Sequence, residues 1–285
     1  MKKYLKLMRV HHYMKNILVF AALACSGQLF DSEKFLRCLF GCIAFCMVCS
    51  IVYIINDIMD REKDRCHPAK RHRPIASGAI SVARAGWLTA GLSCIALFCN
   101  FLVFSLPATL LLGGYLLLNL AYSFGLKNIP IVDVAILVSG FWIRVLYGAL
   151  ITGIHVSDWL YLTIVMLAFF LALGKRRNEV RHMKGNLTRE VLKAYPLAFL
   201  DKMMYMCLTI AIVFYTLWTL TEETMAAYGE YLVYTVPIVM LITMKYSMDI
   251  EGESDGDPVE VLLHDKFLSV LCLIYILSML AILYR

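Results

Sequence analysis

Charge is scarce in this chain of 285 residues: 17% are Asp, Glu, Lys or Arg, against about a quarter in soluble globular proteins. Apolar residues reach 61% and the mean hydropathy is +0.72. That balance excludes a single water-facing domain and a disordered polar tail. A disulfide framework is also missing. Ten cysteines are present, but most lie inside apolar runs without framework spacing. Cys38, Cys42 and Cys46 recur every four residues as a helical stripe, and Cys46-Met-Val-Cys49 is a CxxC by letter alone. They read as small packing side chains in a reducing compartment. His11-His12, His72 and His182 share no ligand spacing, which argues against a zinc site. No nucleophile–histidine pair is evident. Lys2, Lys3, Lys6 and Arg9 before an apolar run have the outline of a cleavable signal. However, Ala22-Leu23-Ala24-Cys25 lacks the leading leucine of a lipoprotein box, and eight similar runs follow. An uncleaved first span is expected.

What is present is long hydrophobic runs. At about 20 residues per membrane helix, the sequence predicts spans at 16–30, 35–56, 81–104, 107–125, 131–151, 157–174, 201–221, 229–247 and 267–284. The expected architecture is all-α: a polytopic membrane protein of nine transmembrane helices, with residues 1–285 forming one integral membrane domain. Of 27 Lys and Arg, only Lys34, Arg37 and Arg285 fall on one side and Arg144 lies inside a span. The positive-inside rule therefore places the amino end and the loops 57–80, 126–130, 175–200 and 248–266 in the cytoplasm. With almost nothing polar on the other side, chemistry belongs at the cytoplasmic rim or inside the bundle.

The second span runs into Asn56-Asp57-Ile-Met-Asp60-Arg-Glu-Lys-Asp64. If the helix continues, Asn56, Asp60 and Asp64 share one face with Asp57 one step round. Like charges at that spacing repel by a few tenths of a kcal/mol per pair, so the stack implies a counter-cation. Carboxylates at a partly wet rim suit Mg2+, which keeps waters and is often shared with phosphates. His67-Pro68 should end the helix, and Lys70, Arg71 and Arg73 follow before Pro74 and Gly78 turn the chain. A basic juxtamembrane loop alone is a lipid-headgroup contact. Directly after an acidic ladder, it is also what a magnesium-bound diphosphate requires. The final loop contains Asp257-Pro258-Val-Glu260, a helix start with N-cap, proline at N1 and glutamate at N3. It misses the calcium-loop spacing and reads as structural.

The string Asn56-Asp57-x-x-Asp60-x-x-x-Asp64-x-x-His67-Pro68-x-Lys70-x-x-Arg73-Pro74-Ile75-Ala76-x-Gly78 resembles the UbiA-type intramembrane prenyltransferase superfamily, and within it the decaprenyl-phosphate phosphoribosyltransferase branch. The likeness continues at Lys15-Asn16, Tyr122-Ser123-x-x-Leu126-Lys127 before Asp133, Gly140-Phe141-x-x-Arg144, Gly174-Lys175-Arg176-Arg177-x-Glu179 and Gly256-Asp257-Pro258-x-Glu260-x-x-Leu263-x-Asp265. Aromatic prenyltransferases of the superfamily carry a second aspartate-rich motif after the sixth span. Here Gly174-Lys175-Arg176-Arg177 stands in its place, expected as a cation-rich loop that binds phosphate directly.

The resemblance implies a UbiA-like bundle with a cytoplasmic polar cavity, in a bacterial-type cytoplasmic membrane. It implies transfer of the phosphoribosyl group from phosphoribosyl diphosphate (PRPP) to a polyprenyl phosphate. Asn56, Asp57, Asp60 and Asp64 would hold Mg2+, with Asp57, Asp60, Asp64 and Lys70 as the catalytic set. Lys15, Asn56, Arg71, Arg73, Tyr122, Lys127, Asp133, Arg144, Lys175 and Arg176 would bind substrate. Asp133 and Arg144, three turns apart on one helix, should not neutralise each other directly. The soluble phosphoribosyltransferase fingerprint is absent, and no nucleic-acid partner is expected. An aromatic prenyltransferase of the same fold, a non-catalytic transporter or lipid scaffold, and a homo-oligomeric state stay open.

Overall fold

The computed structural model describes residues 2–67, 70–181, 190–252, 261–262 and 264–285, and no strand occurs among them. Eight helical segments are long and apolar enough to cross a membrane. They are α3 (Ser32–Met59), α5 (Val82–Val103), α6 (Leu106–Phe124), α7 (Val132–Thr152), α8 (Asp158–Arg181), α9 (Leu197–Thr219), the segment Glu230–Glu251 ending in α11 (Val236–Glu251), and α12 (Lys266–Leu283). Short helices α1 (Lys2–Met8), α2 (Ala21–Cys25), α4 (Arg61–Cys66) and α10 (Glu222–Tyr228) complete the set. The chain is an integral membrane protein. Its spans turn apolar side chains outward: on α5, Trp87, Leu97, Phe98 and Phe101 are all exposed, as lipid contact demands.

The starts follow local chemistry. Asp31 accepts from the Glu33 and Lys34 backbone N–H groups at the head of α3, Ser81 from Arg84 at α5, Ser105 from Ala108 at α6, and Asp265 from Leu268 at α12, each satisfying an orphan donor of a first turn.

The first expected span differs. Residues 16–30 do not form one α-helix: a 3₁₀ helix covers Val10–Phe20 and only α2 follows. Eight long spans, not nine, are therefore observed among the described residues. The 3₁₀ stretch packs tightly, since a Cβ at Gly148 would lie 1.9 Å from the carbonyl oxygen of Val19.

The chain divides into two compact units. Unit 1 comprises Met1–Lys127 with Ile143–His155, and in it α3 packs chiefly on α5, the 3₁₀ stretch and α6. Leu7, Ile51, Ile54, Ile75, Ile80, Ala85 and Leu92 form a buried cluster that gathers α1, the end of α3 and the 70–80 loop. At 28 residues, α3 is about 42 Å long, longer than a hydrocarbon core of about 30 Å. It is therefore long enough to carry end turns past the apolar zone.

Unit 2 comprises Asn128–Trp142 with Val156–Arg285. It is organised on the α8–α9 pair, around a core that includes Val134, Phe170, Leu200, Met204, Leu208, Ile250 and Leu268. Here α8 extends through Arg181, which corrects the expectation of a loop from 175. The residues past Gly174 are mostly good helix formers, and Arg176 pairs with Glu179 at i,i+3.

Candidate active site

The acidic ladder is local helix geometry carried through a break. Asp60 ends α3 at φ −85°, ψ 4°, and α4 begins at Arg61. The hydrogen bonds nonetheless step on, from Asp60 N–H to Asn56 O at 2.9 Å and from Asp64 N–H to Asp60 O at 2.8 Å. Asn56, Asp60 and Asp64 thus stack as the spacing predicted. His67 is extended at ψ 128°, the conformation forced on a residue before proline; Pro68 itself lies outside the described residues.

Each carboxylate of the ladder faces a cation. One nitrogen of Arg73, Nη1, donates to Asp64 Oδ2 at 2.7 Å and to Asp57 Oδ1 at 3.2 Å. The same Asp57 oxygen receives Arg9 Nη2 at 2.8 Å. Lys127 Nζ reaches both oxygens of Asp60, at 3.0 and 3.3 Å. Asp57 and Asp64 are each 3% exposed, whereas the side chains of Arg9, Arg73, Lys127 and Asp60 keep 20–24% of their surface. Just outside the ladder, Arg61 and Arg65 hold the exposed Glu62 carboxyl below its ordinary pKa.

No group of three or more His, Cys, Asp or Glu is gathered as a metal-ligand set among the described residues. The donor chemistry nevertheless fits a hard divalent ion, because Arg73 Nη1 marks a point within reach of two buried carboxylates and every ladder donor is oxygen.

Arg9 was not anticipated. It ends α1 in the left-handed region, at φ 52°, ψ 49°, a conformation costing an L-residue about 1–2 kcal/mol. Its guanidinium lies 4.6 Å from the ring centroid of Tyr53. In sequence it is merely the last of four amino-terminal cations, 48 residues from Asp57, and no local signal links the two.

The other expected residues of unit 1 divide. Lys70 is half-buried, with its backbone N–H on His67 Nδ1 at 3.3 Å. Arg71 is exposed beside His72, and Lys15 and Tyr122 are half-buried. Arg144 belongs to a network inside the bundle. Its Nε donates to Asn16 Oδ1 at 2.7 Å and its Nη2 to Tyr115 Oη at 3.2 Å, with Phe45 at 5.0 Å. The cysteine stripe joins it, through Asn16 Nδ2 on Cys46 Sγ at 3.1 Å and Arg144 Nη2 near Cys49 Sγ at 3.6 Å.

In unit 2 the two arginines of the expected phosphate cluster are engaged with carboxylates. Arg176, 1% exposed, donates Nε to the fully buried Asp133 Oδ2 at 2.7 Å and Nη1 to Glu179 at 2.5 Å. Tyr195 donates to Asp133 Oδ1 at 2.5 Å and accepts the N–H of Ile131, itself left-handed at φ 69°, at 2.6 Å. Arg177 pairs with Asp201 and Glu251. Lys175 alone of the three is not buried. Asp133 and Arg144 have separate partners, as their spacing implied. His182 and the Asp257–Glu260 helix start lie outside the described residues.

The model of the UbiA prenyltransferase family matches residues 16–281. The chain belongs to the UbiA prenyltransferase family. This UbiA family member is 32% identical over 279 residues to the decaprenyl-phosphate phosphoribosyltransferase of Corynebacterium glutamicum, covering 95% of this chain and 84% of that one. It is 29% identical over 277 residues to the Mycobacterium tuberculosis protein of the same name, covering 95% and 91%. A solved UbiA homologue from Archaeoglobus fulgidus bound to DMAPP and Mg2+ shares its fold with a TM-score of 0.68 at 17% identity, over 99% of each chain. As a UbiA family member the protein is a membrane-embedded transferase.

Proposed function

We propose that this enzyme transfers the 5-phosphoribosyl group of PRPP to a polyprenyl phosphate on the cytoplasmic face of the membrane, with magnesium, releasing diphosphate. The observation that carries the reading is the packing of Asp57, Asp60 and Asp64 against Arg73 and Lys127 within unit 1. The names of the actinobacterial relatives support the choice of donor and acceptor.

An oxygen of the lipid phosphate bonds to the anomeric carbon while the bond from that carbon to the diphosphate oxygen breaks, and the electron pair leaves with diphosphate. The acceptor is already anionic, so no strong base is required and positioning carries most of the rate. Mg2+ held by Asp57, Asp60 and Asp64, helped by Asn56, would neutralise charge growing on the leaving diphosphate. Arg73 and Lys127, now on carboxylates, would be released to bind phosphate oxygens if those carboxylates held the metal. Lys15, Lys70 and Arg71 are proposed as further phosphate contacts and Tyr122 as a substrate contact. Lys175 is proposed as a phosphate cation from the resemblance. Arg176, Asp133 and Arg144, buried in networks of their own, are proposed as supports of the helices that carry them.

The test is ligand protection followed by turnover. PRPP with Mg2+ should raise the unfolding temperature of the purified protein. Membranes given labelled PRPP and a panel of polyprenyl phosphates should form a phosphoribosyl lipid identifiable by mass. Protection by a prenyl diphosphate and not by PRPP overturns the reading in favour of an aromatic prenyltransferase.

A further inference from the structure

Arg9 is placed with more care than a salt bridge to Asp57 needs. Its backbone is held left-handed at φ 52°, a conformation that persists in non-glycine residues when the surroundings over-determine it, often at functional positions. Its neighbour Leu7 is fully buried in the cluster under the 70–80 loop. Lys6 Nζ lies 3.4 Å from the carbonyl oxygen of His72 and Lys3 Nζ 3.1 Å from that of Ala79, so the helix that leads into Arg9 is tied to the 70–80 loop. The guanidinium lies over the Tyr53 ring at 4.6 Å, so it has a partner other than Asp57. Asp57 Oδ1 also already receives Arg73. The side chain keeps 21% of its surface and can be reached from outside.

We propose that Arg9 is a diphosphate-binding residue of this site: when Asp57 takes a divalent ion, the stacked guanidinium stays and presents its N–H fork to a phosphate oxygen of the bound diphosphate. The inference rests on the reading that the ladder binds a magnesium-bound diphosphate. Arginine suits the task because its planar fork matches phosphate geometry and stacks on aromatic faces, which lysine does not reproduce. The amino-terminal segment is then a wall of the site and not only a topological anchor.

Binding of inorganic diphosphate with Mg2+ to the purified full chain, followed by calorimetry, tests this without turnover. Arg9→Gln should weaken binding roughly tenfold or more, the loss of one charge-assisted hydrogen bond. Arg9→Lys and Tyr53→Leu should fall between that and wild type, Tyr53→Phe should match wild type, and Arg9→Gln/Tyr53→Leu should bind no worse than Arg9→Gln. Should Arg9→Gln fail to fold, Arg9→Lys and Tyr53→Leu decide the matter, since both preserve a partner for the pocket. Wild-type affinity in Arg9→Gln or, if that fails to fold, in Arg9→Lys and Tyr53→Leu overturns the proposal, as do multiplying losses in the double variant or no diphosphate binding by the wild type. Loss of diphosphate affinity in Arg9→Gln, with a wild type that transfers a prenyl and not a phosphoribosyl group, would instead sustain the role of Arg9 and remove only the proposed donor.

Discussion

Replacing Arg176 by Met separates support from substrate binding. Arg176 and Asp133 are 1% and 0% exposed and 2.7 Å apart. At an effective dielectric near 20 their attraction is about 6 kcal/mol, and part of it offsets the dehydration of the guanidinium. Met keeps most of the volume but leaves Asp133 buried, with the Tyr195 phenol its one remaining side-chain donor among the described residues. Breaking one half of such a pair costs about 3–5 kcal/mol. At roughly 2–4 °C per kcal/mol for a chain of this size, the unfolding temperature should drop by about 6–20 °C.

The companion variant Asp133→Leu/Arg176→Met removes both charges, and well-packed apolar replacements of buried pairs are often neutral or better. It should regain most of the lost temperature and, if Arg176 is a support, most of the PRPP affinity as well. Thermal unfolding in detergent at one scan rate, with PRPP protection measured on the same samples, reads both. The reasoning is refuted if Arg176→Met melts within about 2 °C of wild type, a shift below that of 1 kcal/mol. A stable double variant that no longer binds PRPP would show Arg176 acting on the substrate itself.

Tyr195 gives a pH signature. Burial and the Asp133 carboxylate push its phenol up to about 12, so the folded state holds the proton more tightly. Its contribution is complete below the ordinary tyrosine value near 10 and lost as pH rises through about 12; alkaline unfolding should be less steep in Tyr195→Phe. Gly148→Ala would set a Cβ against the Val19 carbonyl. Because a backbone atom cannot swing aside, the cost should be about 3 kcal/mol, the upper part of the overpacking range. Gly91→Ala, with nothing within 4 Å, should instead stabilise by about 0.5–1 kcal/mol; paired melting curves check both. Chelation of Mg2+ should abolish transfer and the protection by PRPP, with activity returning on readdition.

Features that depend on neighbours along the chain were legible in the sequence. Expected spans at 81–104, 107–125, 131–151 and 267–284 lie within a residue of α5, α6, α7 and α12, because twenty apolar residues announce a membrane helix without any tertiary contact. The Asn56–Asp60–Asp64 stack follows equally from helical spacing. Arg73 was legible as a cation beside the ladder, but the long-range pairings were not: Arg9 is 48 residues from Asp57 and Lys127 is 67 from Asp60, and long-range pairs leave no periodic trace. Hydropathy also counts side chains and ignores rise. Eleven 3₁₀ residues at about 2.0 Å each and five α-helical residues at about 1.5 Å have a summed rise of roughly 30 Å, more than the roughly 22 Å of an α-helix over the expected 16–30.

The same pairing governs how the ladder must be tested. Asp60→Asn and Asp64→Asn should both abolish transfer, but Asp64→Asn also takes a carboxylate from Arg73, which bridges to it at 2.7 Å beside a 3% exposed Asp57. A lone charge deletion in a half-buried pair disturbs folding and chemistry together. Asp64→Asn/Arg73→Gln removes a carboxylate and its cation together and restores the balance, so its stability should exceed that of Asp64→Asn. If Asp64 holds the metal, activity should stay absent in the rebalanced protein. Recovered activity along with recovered stability would show that Asp64 does not hold the metal and that Arg73 is not needed on the phosphates, and the metal would then have to rest on Asp57 and Asp60. Asp60, paired with Lys127 at a more exposed position, supplies the control: its asparagine variant should keep a near-wild-type unfolding temperature while losing transfer.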